Sequence, residues 1–201
     1  MTIVEERPEA GHRAARRAMI DSQLRTSGVN AEFVLRRMDA VAREDFVPES
    51  ARGFAYIDRA IALGGGRYLA APVVHGMMLQ EANPTAADKA LLVDGGSGYL
   101  ADLLRPLVGT LEVVAPADAA AKSRKSGEFT LLVVDGAAEC LPEALLGRLA
   151  DGARVVTGVV AEGVTRLAIG RKVAGQVALL PLAELGIPVL TEFAAPKGWS
   201  F

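Results

Sequence analysis

Four short runs constrain this chain more than anything else in it: KALLVDG (Lys89–Gly95), TLEVVAP (Thr110–Pro116), FTLLVVDG (Phe129–Gly136) and ARVVTGVV (Ala153–Val160). Each is apolar almost without interruption. A strand with one wet face alternates apolar and polar side chains. A strand without that alternation is buried on both faces, as in a parallel sheet covered by helices. Segments of helical character, 100–107, 118–126 and 141–150, separate or follow the runs. The alternation predicts a doubly wound, mostly parallel α/β sheet. Further on, TRLAIGRKV and QVALLPL flank Ala174-Gly175 and predict an antiparallel hairpin closing one edge.

The first 82 residues read differently, as a helical and substrate-loop region packed on a core of residues 83–201. Pro8 and Gly11 make residues 1–11 a loose tail. Ala15, Met19, Ile20 and Leu24 recur at helical spacing from His12, and Gly28 ends that helix. Asn30 is the expected N-cap of a second helix with Phe33, Val34, Met38 and Val41 on its apolar face. Residues 50–71 read as a long loop with a glycine cluster, Gly64 to Gly66, of a length that is often functional. Pro72 opens a helix running to Glu81.

Composition bounds the function. A chain of 201 residues, 51% hydrophobic and 23% charged, suits one domain with a real core. A formal net charge of −2 argues against nucleic acid and anionic membranes as partners. The single cysteine, Cys140, excludes an intrachain disulfide and fits a reducing compartment. No apolar run nears the ~18–20 residues of a membrane span. The charged N-terminus does not read as an export signal, so the expected place is the cytoplasm. With two histidines and one cysteine, neither a metal site nor a Cys–His nucleophile is expected. Cys140 reads as a partly buried thiol and His75, on an apolar helix, as a core or boundary histidine. Lys122, Arg124 and Lys125 read as a solvated helix face, and Trp199 as a residue packing back on the domain.

The chemistry concentrates at Asp94–Tyr99, DGGSGY. Gly95, Gly96 and Gly98 let the backbone turn sharply and approach a ligand, and the next helix would offer free N–H groups. The spacing is not GxGxxG, which disfavours a dinucleotide and an oxidoreductase. S-adenosylmethionine suits the turn better, and a bare strand-to-helix turn is the alternative. Asp135 ends a strand on the carboxyl edge, where open α/β sheets bind ligands.

The stretches MIDSQLRTSGV (Met19–Val29), VAREDFVPE (Val41–Glu49), AYIDRAIALGGG (Ala55–Gly66), AAP (Ala70–Pro72), DGGSGY and VVDGAAECLPEALLGRLADGARVV (Val133–Val156) resemble, in order, the protein-L-isoaspartate O-methyltransferase family, as does the tail VTRLAIGRK. The resemblance implies a class I methyltransferase fold. It also implies methyl transfer from S-adenosylmethionine to the carboxylate of L-isoaspartyl residues in damaged proteins. It assigns the donor to Asp94, Gly95, Gly96, Ser97, Gly98 and Tyr99, to which the strand position adds Asp135, and the protein or peptide substrate to Asp58, Arg59, Tyr68 and Ala70, the alternative for Asp58 and Arg59 being that they pair locally and hold the loop. It singles out no catalytic residue and no metal.

Several positions depart from the family pattern. Leu92 stands where the family has an acid, and Asp94 where it has the first glycine. The ribose-binding acid that ends the second strand falls near Pro116 or Ala117, with Asp118 next as the expected N-cap of a helix. Arg67-Tyr68-Leu69-Ala70 replaces a Gln-Thr-Ile-Ser-like stretch. Between Val114 and Leu131 there is room for one connection only. One edge strand is therefore expected to be missing, leaving TLEVVAP as an edge covered by the N-terminal helices or by a second copy in a homodimer. Two functions follow: an active isoaspartyl methyltransferase, or a catalytically degenerate relative serving as a binding or scaffold module.

Overall fold

The computed structural model describes residues 6–121 and 127–195. Lys122, Arg124 and Lys125 of the expected helix face, and Trp199, lie outside them. Along the chain run α1 (Glu6–Met19), α2 (Glu32–Ala40), β1 (Ile61–Gly64), β2 (Arg67–Leu69), α3 (Pro72–Ala82), β3 (Lys89–Val93), α4 (Tyr99–Leu104), β4 (Thr110–Val114), α5 (Pro116–Ala120), β5 (Phe129–Ala138), α6 (Glu143–Leu146), β6 (Leu149–Ala161), β7 (Val164–Val173) and β8 (Gln176–Glu184). The main sheet has the order β4-β3-β5-β6-β7-β8. Its first four strands are parallel. The last two fold back antiparallel.

The unbroken apolar runs are explained by what lies on each face. In β3, Ala90 and Leu92 enter one core, while Leu91 and Val93 enter another across the sheet. In β5, Leu131 and Val133 go one way and Leu132 and Val134 the other. The period-2 alternation of a strand therefore distributes one apolar run between two cores. The first core also holds Met19, Leu24, Val34, Met38 and Met78, so the N-terminal helices share it with the sheet. Within it, α3 is buried nearly all round, and Gly76 leaves the space that Leu24 and Val29 fill.

The chirality of the turns closes the sheet. Glu162-Gly163 and Ala174-Gly175 all have positive φ, at 54°, 76°, 51° and 82°. Two consecutive left-handed residues match the twist of the flanking strands. The expected hairpin at Ala174 is thus present, and β7 pairs with β6 by the same device. As expected, β4 is an edge: it pairs only with β3, and no strand lies beyond it among the described residues.

Other local expectations need correction. The chain is helical from Glu6, not loose to residue 11. Pro8 lies in the first turn, where the backbone N–H has no intrahelical partner to lose. Residues 50–71 are not a plain loop. They contain a 3-10 turn, Glu49–Phe54, and the β1–β2 hairpin, with Gly64, Gly65 and Gly66 at positive φ. The expected helix of 141–150 shrinks to α6. Asp118 caps nothing: Ala115 precedes α5, Pro116 takes its first position, and Asp118 is exposed in the first turn. Cys140 is exposed rather than partly buried, because the 139–140 backbone turns to donate both amides to the Phe193 carbonyl.

Asn30 is not the cap of α2 either; Ala31 holds that place without a side-chain bond. Gln80 does the work from fifty residues away. Its Oε1 accepts from the Asn30 and Ala31 amides at 2.9 and 3.1 Å, and its Nε2 donates to the Gly28 carbonyl at 3.3 Å. Gln80→Leu should lower stability in urea unfolding by about 1 kcal/mol, the worth of a lost cap. Gln80→Glu, which keeps the acceptor, should retain most of it.

Candidate functional site

The glycine turn between β3 and α4 is held from inside. The Asp94 carboxylate folds back on it: Oδ2 accepts from the Gly96 amide and Oδ1 from the Gly98 amide, each at 3.0 Å. The Ser97 hydroxyl accepts from the Tyr99 amide at 3.2 Å. Three of the amides expected to be free for a ligand, those of Gly96, Gly98 and Tyr99, are therefore engaged, and α4 is only six residues long. Gly96 and Gly98 have φ of 107° and 73°, which an L side chain rarely adopts. A Cβ on Gly95 would collide with the carbonyl oxygen of Asp135. This close approach seats the turn against β5.

Asp135 lies where β5 loses register with β6, between Val133 and Ala137. It is 4% exposed. One oxygen, Oδ1, is 2.9 Å from His75 Nε2. The other, Oδ2, is buried and has no hydrogen-bond partner. His75 Nδ1 faces Arg43 Nη1 at 3.3 Å. A guanidinium only donates, so Nδ1 accepts and the imidazole proton sits on Nε2, aimed at Asp135. His75 is buried, as a core histidine should be, and it also positions a carboxylate.

Arg43 is wholly buried and anchors this chain of polar groups. Its Nε donates to the Ala55 carbonyl at 2.7 Å, and its Nη2 to the Ala70 carbonyl. Its guanidinium stacks 5.2 Å from the Tyr99 ring centroid. Tyr99 in turn meets Phe46 and His75 at 5.2 and 5.3 Å. Outward, the Arg43 amide donates to the Tyr56 hydroxyl at 3.3 Å, which donates to Glu44. Arg16 donates to both, reaching Tyr56 at 2.7 Å and Glu44 at 3.2 Å.

Burial lowers the Arg43 guanidinium to about 10, against the pull of Tyr99 and Asp135, so it stays charged at neutral pH. Burial raises the Tyr99 hydroxyl to about 12. Burial, then the Asp135 charge, pushes the Asp94 carboxyl above the ordinary range. Burial also pushes Glu44 up. The Tyr56 bond, a backbone bond and the Arg16 and His12 charges outweigh that and hold it low.

The β1–β2 hairpin lies over the turn. Arg67 Cβ, Cγ and Cδ stand 3.0–3.1 Å from where a Cβ on Gly96 would be. Its guanidinium pairs with Glu192. Tyr68 beside it is 42% exposed, while Ala70 is buried. Asp58 and Arg59 are exposed on the approach to β1. The end of β4 carries no acid: Ala115 is exposed and Pro116 starts α5. Leu92 is wholly buried in the first core. The structure thus brings Asp94, the three glycines, Ser97, Tyr99 and Asp135 together, and holds Asp58 and Arg59 outside that cluster. Neither Arg43 nor Glu192 carries a chemical signature of its own in the sequence. The VARED stretch marked Arg43 only through its place in a resembling motif.

The same chain resembles known proteins over most of its length. The profile of the protein-L-isoaspartate(D-aspartate) O-methyltransferase family matches residues 14–122. The protein-L-isoaspartate O-methyltransferase of Koribacter versatilis is 33% identical over 185 residues, covering 80% of this chain and 83% of that one. That of Pelotomaculum thermopropionicum is 26% identical over 179 residues, covering 77% and 78%. A crystal structure from Plasmodium falciparum, of a protein assigned as a protein-L-isoaspartate O-methyltransferase in complex with S-adenosyl-L-homocysteine, superposes with a TM-score of 0.71 at 18% identity. It covers 90% of this chain and 98% of that one, and the likeness establishes the fold. With a buried carboxylate beside a glycine turn on a class I methyltransferase sheet, and with that profile spanning the turn, the chain belongs to the protein-L-isoaspartate O-methyltransferase family.

Proposed function

We propose that the chain transfers a methyl group from S-adenosylmethionine to L-isoaspartyl carboxylates of damaged proteins. The observation that carries this reading is Asp135 Oδ2, a buried carboxylate oxygen with no partner, beside a glycine turn of the family's type. An unpaired buried acceptor is costly and asks for a donor. The ammonium of the methyl donor supplies one. S-adenosylmethionine brings a methyl on a sulfonium, and its transfer to a carboxylate needs positioning and desolvation more than proton transfer.

The chain's own residues would divide the work as follows. Asp94 and Ser97 fix the turn, Gly95 and Gly96 permit close approach, and Gly98 and Tyr99 start α4 beneath it. His75 holds Asp135 in place through its Nε2 proton. Tyr68, with Asp58 and Arg59, offers the exposed face of the hairpin region to the isoaspartyl peptide, and Ala70 shapes the floor through its backbone. The ribose half of the donor fits less well, since no acid ends β4. No helix of the described residues is long and apolar enough to cross a membrane. The exposed thiol of Cys140 supports a reducing cytoplasm. The open β4 edge supports a homodimer.

The test is methyl incorporation from labelled S-adenosylmethionine into a synthetic isoaspartyl peptide and its aspartyl isomer. Incorporation into the first alone is expected. A second reading, a degenerate relative acting as a binding module, is favoured by the missing ribose acid at Ala115–Ala117. Folded protein that methylates neither peptide would leave that second reading standing.

A further inference from the structure

Arg67 and Glu192 stand 125 residues apart in sequence and meet over the glycine turn. Beyond their closest contact, Arg67 Nη1 reaches Glu192 Oε2 at 3.3 Å. The two sides of this bridge differ in firmness. Glu192 belongs to a short turn, Thr191–Phe193, bound to the end of β5: the Leu190 amide donates to the Ala137 carbonyl at 2.9 Å, and the Glu139 and Cys140 amides to the Phe193 carbonyl at 3.1 and 3.0 Å. Phe193 is 1% exposed. Arg67 instead follows three left-handed glycines, whose open surroundings leave the hairpin tip little packed. Hydrogen bonding from Arg67 holds the Glu192 carboxyl below its ordinary range. The pair is nonetheless part-exposed, so solvent screening keeps it breakable.

Charges of opposite sign flank the turn. Gly96 abuts the Arg67 stem, and Gly95 abuts Asp135, whose Oδ2 lacks a partner. The amino-acid end of an S-adenosyl compound carries the complementary pair, a carboxylate and an ammonium. We propose that Arg67 and Glu192 form a latch over the glycine turn, opened when a ligand's α-carboxylate takes the place of Glu192 on Arg67 while its ammonium meets Asp135. This rests on the donor-binding reading above and names Arg67 as the residue that selects for the donor's amino-acid end.

Two measurements on the full chain test it. In hydrogen–deuterium exchange without ligand, Glu192→Gln should speed exchange of the amides of residues 61–69 about tenfold, the opening of a weak local restraint. Unchanged exchange would overturn the latch. In calorimetry, S-adenosylhomocysteine should bind Glu192→Gln about tenfold more tightly than wild type, and Arg67→Gln about tenfold more weakly than Glu192→Gln, as for loss of one charge-assisted partner. 5′-Methylthioadenosine, which lacks the amino-acid end, should bind both variants alike. Equal affinities of both variants for S-adenosylhomocysteine would overturn the carboxylate exchange. Faster exchange in Glu192→Gln, with no ligand bound by any variant, would instead overturn the donor reading and the exchange that rests on it, while upholding the closure.

Discussion

Arg43→Met should cost the protein about 3–5 kcal/mol of unfolding free energy, the usual penalty for removing one partner of a buried charged network. At this chain length each kcal/mol shifts the melting temperature by about 2–4 °C, so the expected drop is about 10 °C. The reason is local accounting of partners. Arg43 alone satisfies the Ala55 and Ala70 carbonyls in that space, and it orients His75 towards Asp135. Methionine fills much of the volume but donates nothing. Arg43→Lys keeps the charge without the planar fork and should fall between the two. Urea unfolding of the three proteins checks this. A loss below about 1 kcal/mol for Arg43→Met would show that the network is not what the fold rests on.

The second large effect concerns the missing acids. The family pattern invites restoring them at Leu92 and near Ala117, but the structure separates the two sites. Leu92 is wholly buried among apolar side chains of the first core. Leu92→Glu should therefore destabilise by about 3 kcal/mol or more, because a carboxylate would be buried without a partner. Ala117 is exposed beside the end of β4. Ala117→Glu should leave stability unchanged within about 0.5 kcal/mol. It should also tighten S-adenosylhomocysteine about tenfold, the worth of one hydrogen bond to a charged group. Chemical unfolding of both variants and ligand titration of Ala117→Glu give the comparison.

The main sheet was legible because burial on two faces leaves a direct mark: Ala90 to Val93 and Leu131 to Val134 show no polar interruption. The Ala174-Gly175 turn was legible because its backbone chirality demands such residues. The edge position of β4 followed from chain length alone, since too few residues separate it from β5 for another strand and helix. Contacts between distant residues left no such mark. Gln80 caps a helix that Asn30 seemed placed to cap, because the Gly28 turn brings α2 against α3. Pro8 looked like a helix breaker but lies in the one turn where it costs no hydrogen bond. At the site, the fold seats the turn against Asp135, but Asp135 does not end its strand as expected: β5 runs on to Ala138, past the point where its register with β6 breaks. The engagement of the turn's amides by Asp94 and Ser97 was not legible, since it depends on side-chain direction. Arg43, His75 and Asp135 are 32 and 60 residues apart in successive steps. Only the fold shows that they form one chain of polar contacts.

Calorimetric titration of the folded wild-type chain with S-adenosylhomocysteine tests the central claim most directly, because it asks whether the site holds its donor independently of any peptide substrate. One-to-one binding in the micromolar range, weakened by Asp135→Asn in protein that still unfolds cooperatively, is the predicted result. No heat of binding at millimolar ligand, from protein that unfolds cooperatively, would contradict it and leave the glycine turn as a relic of the family's shape.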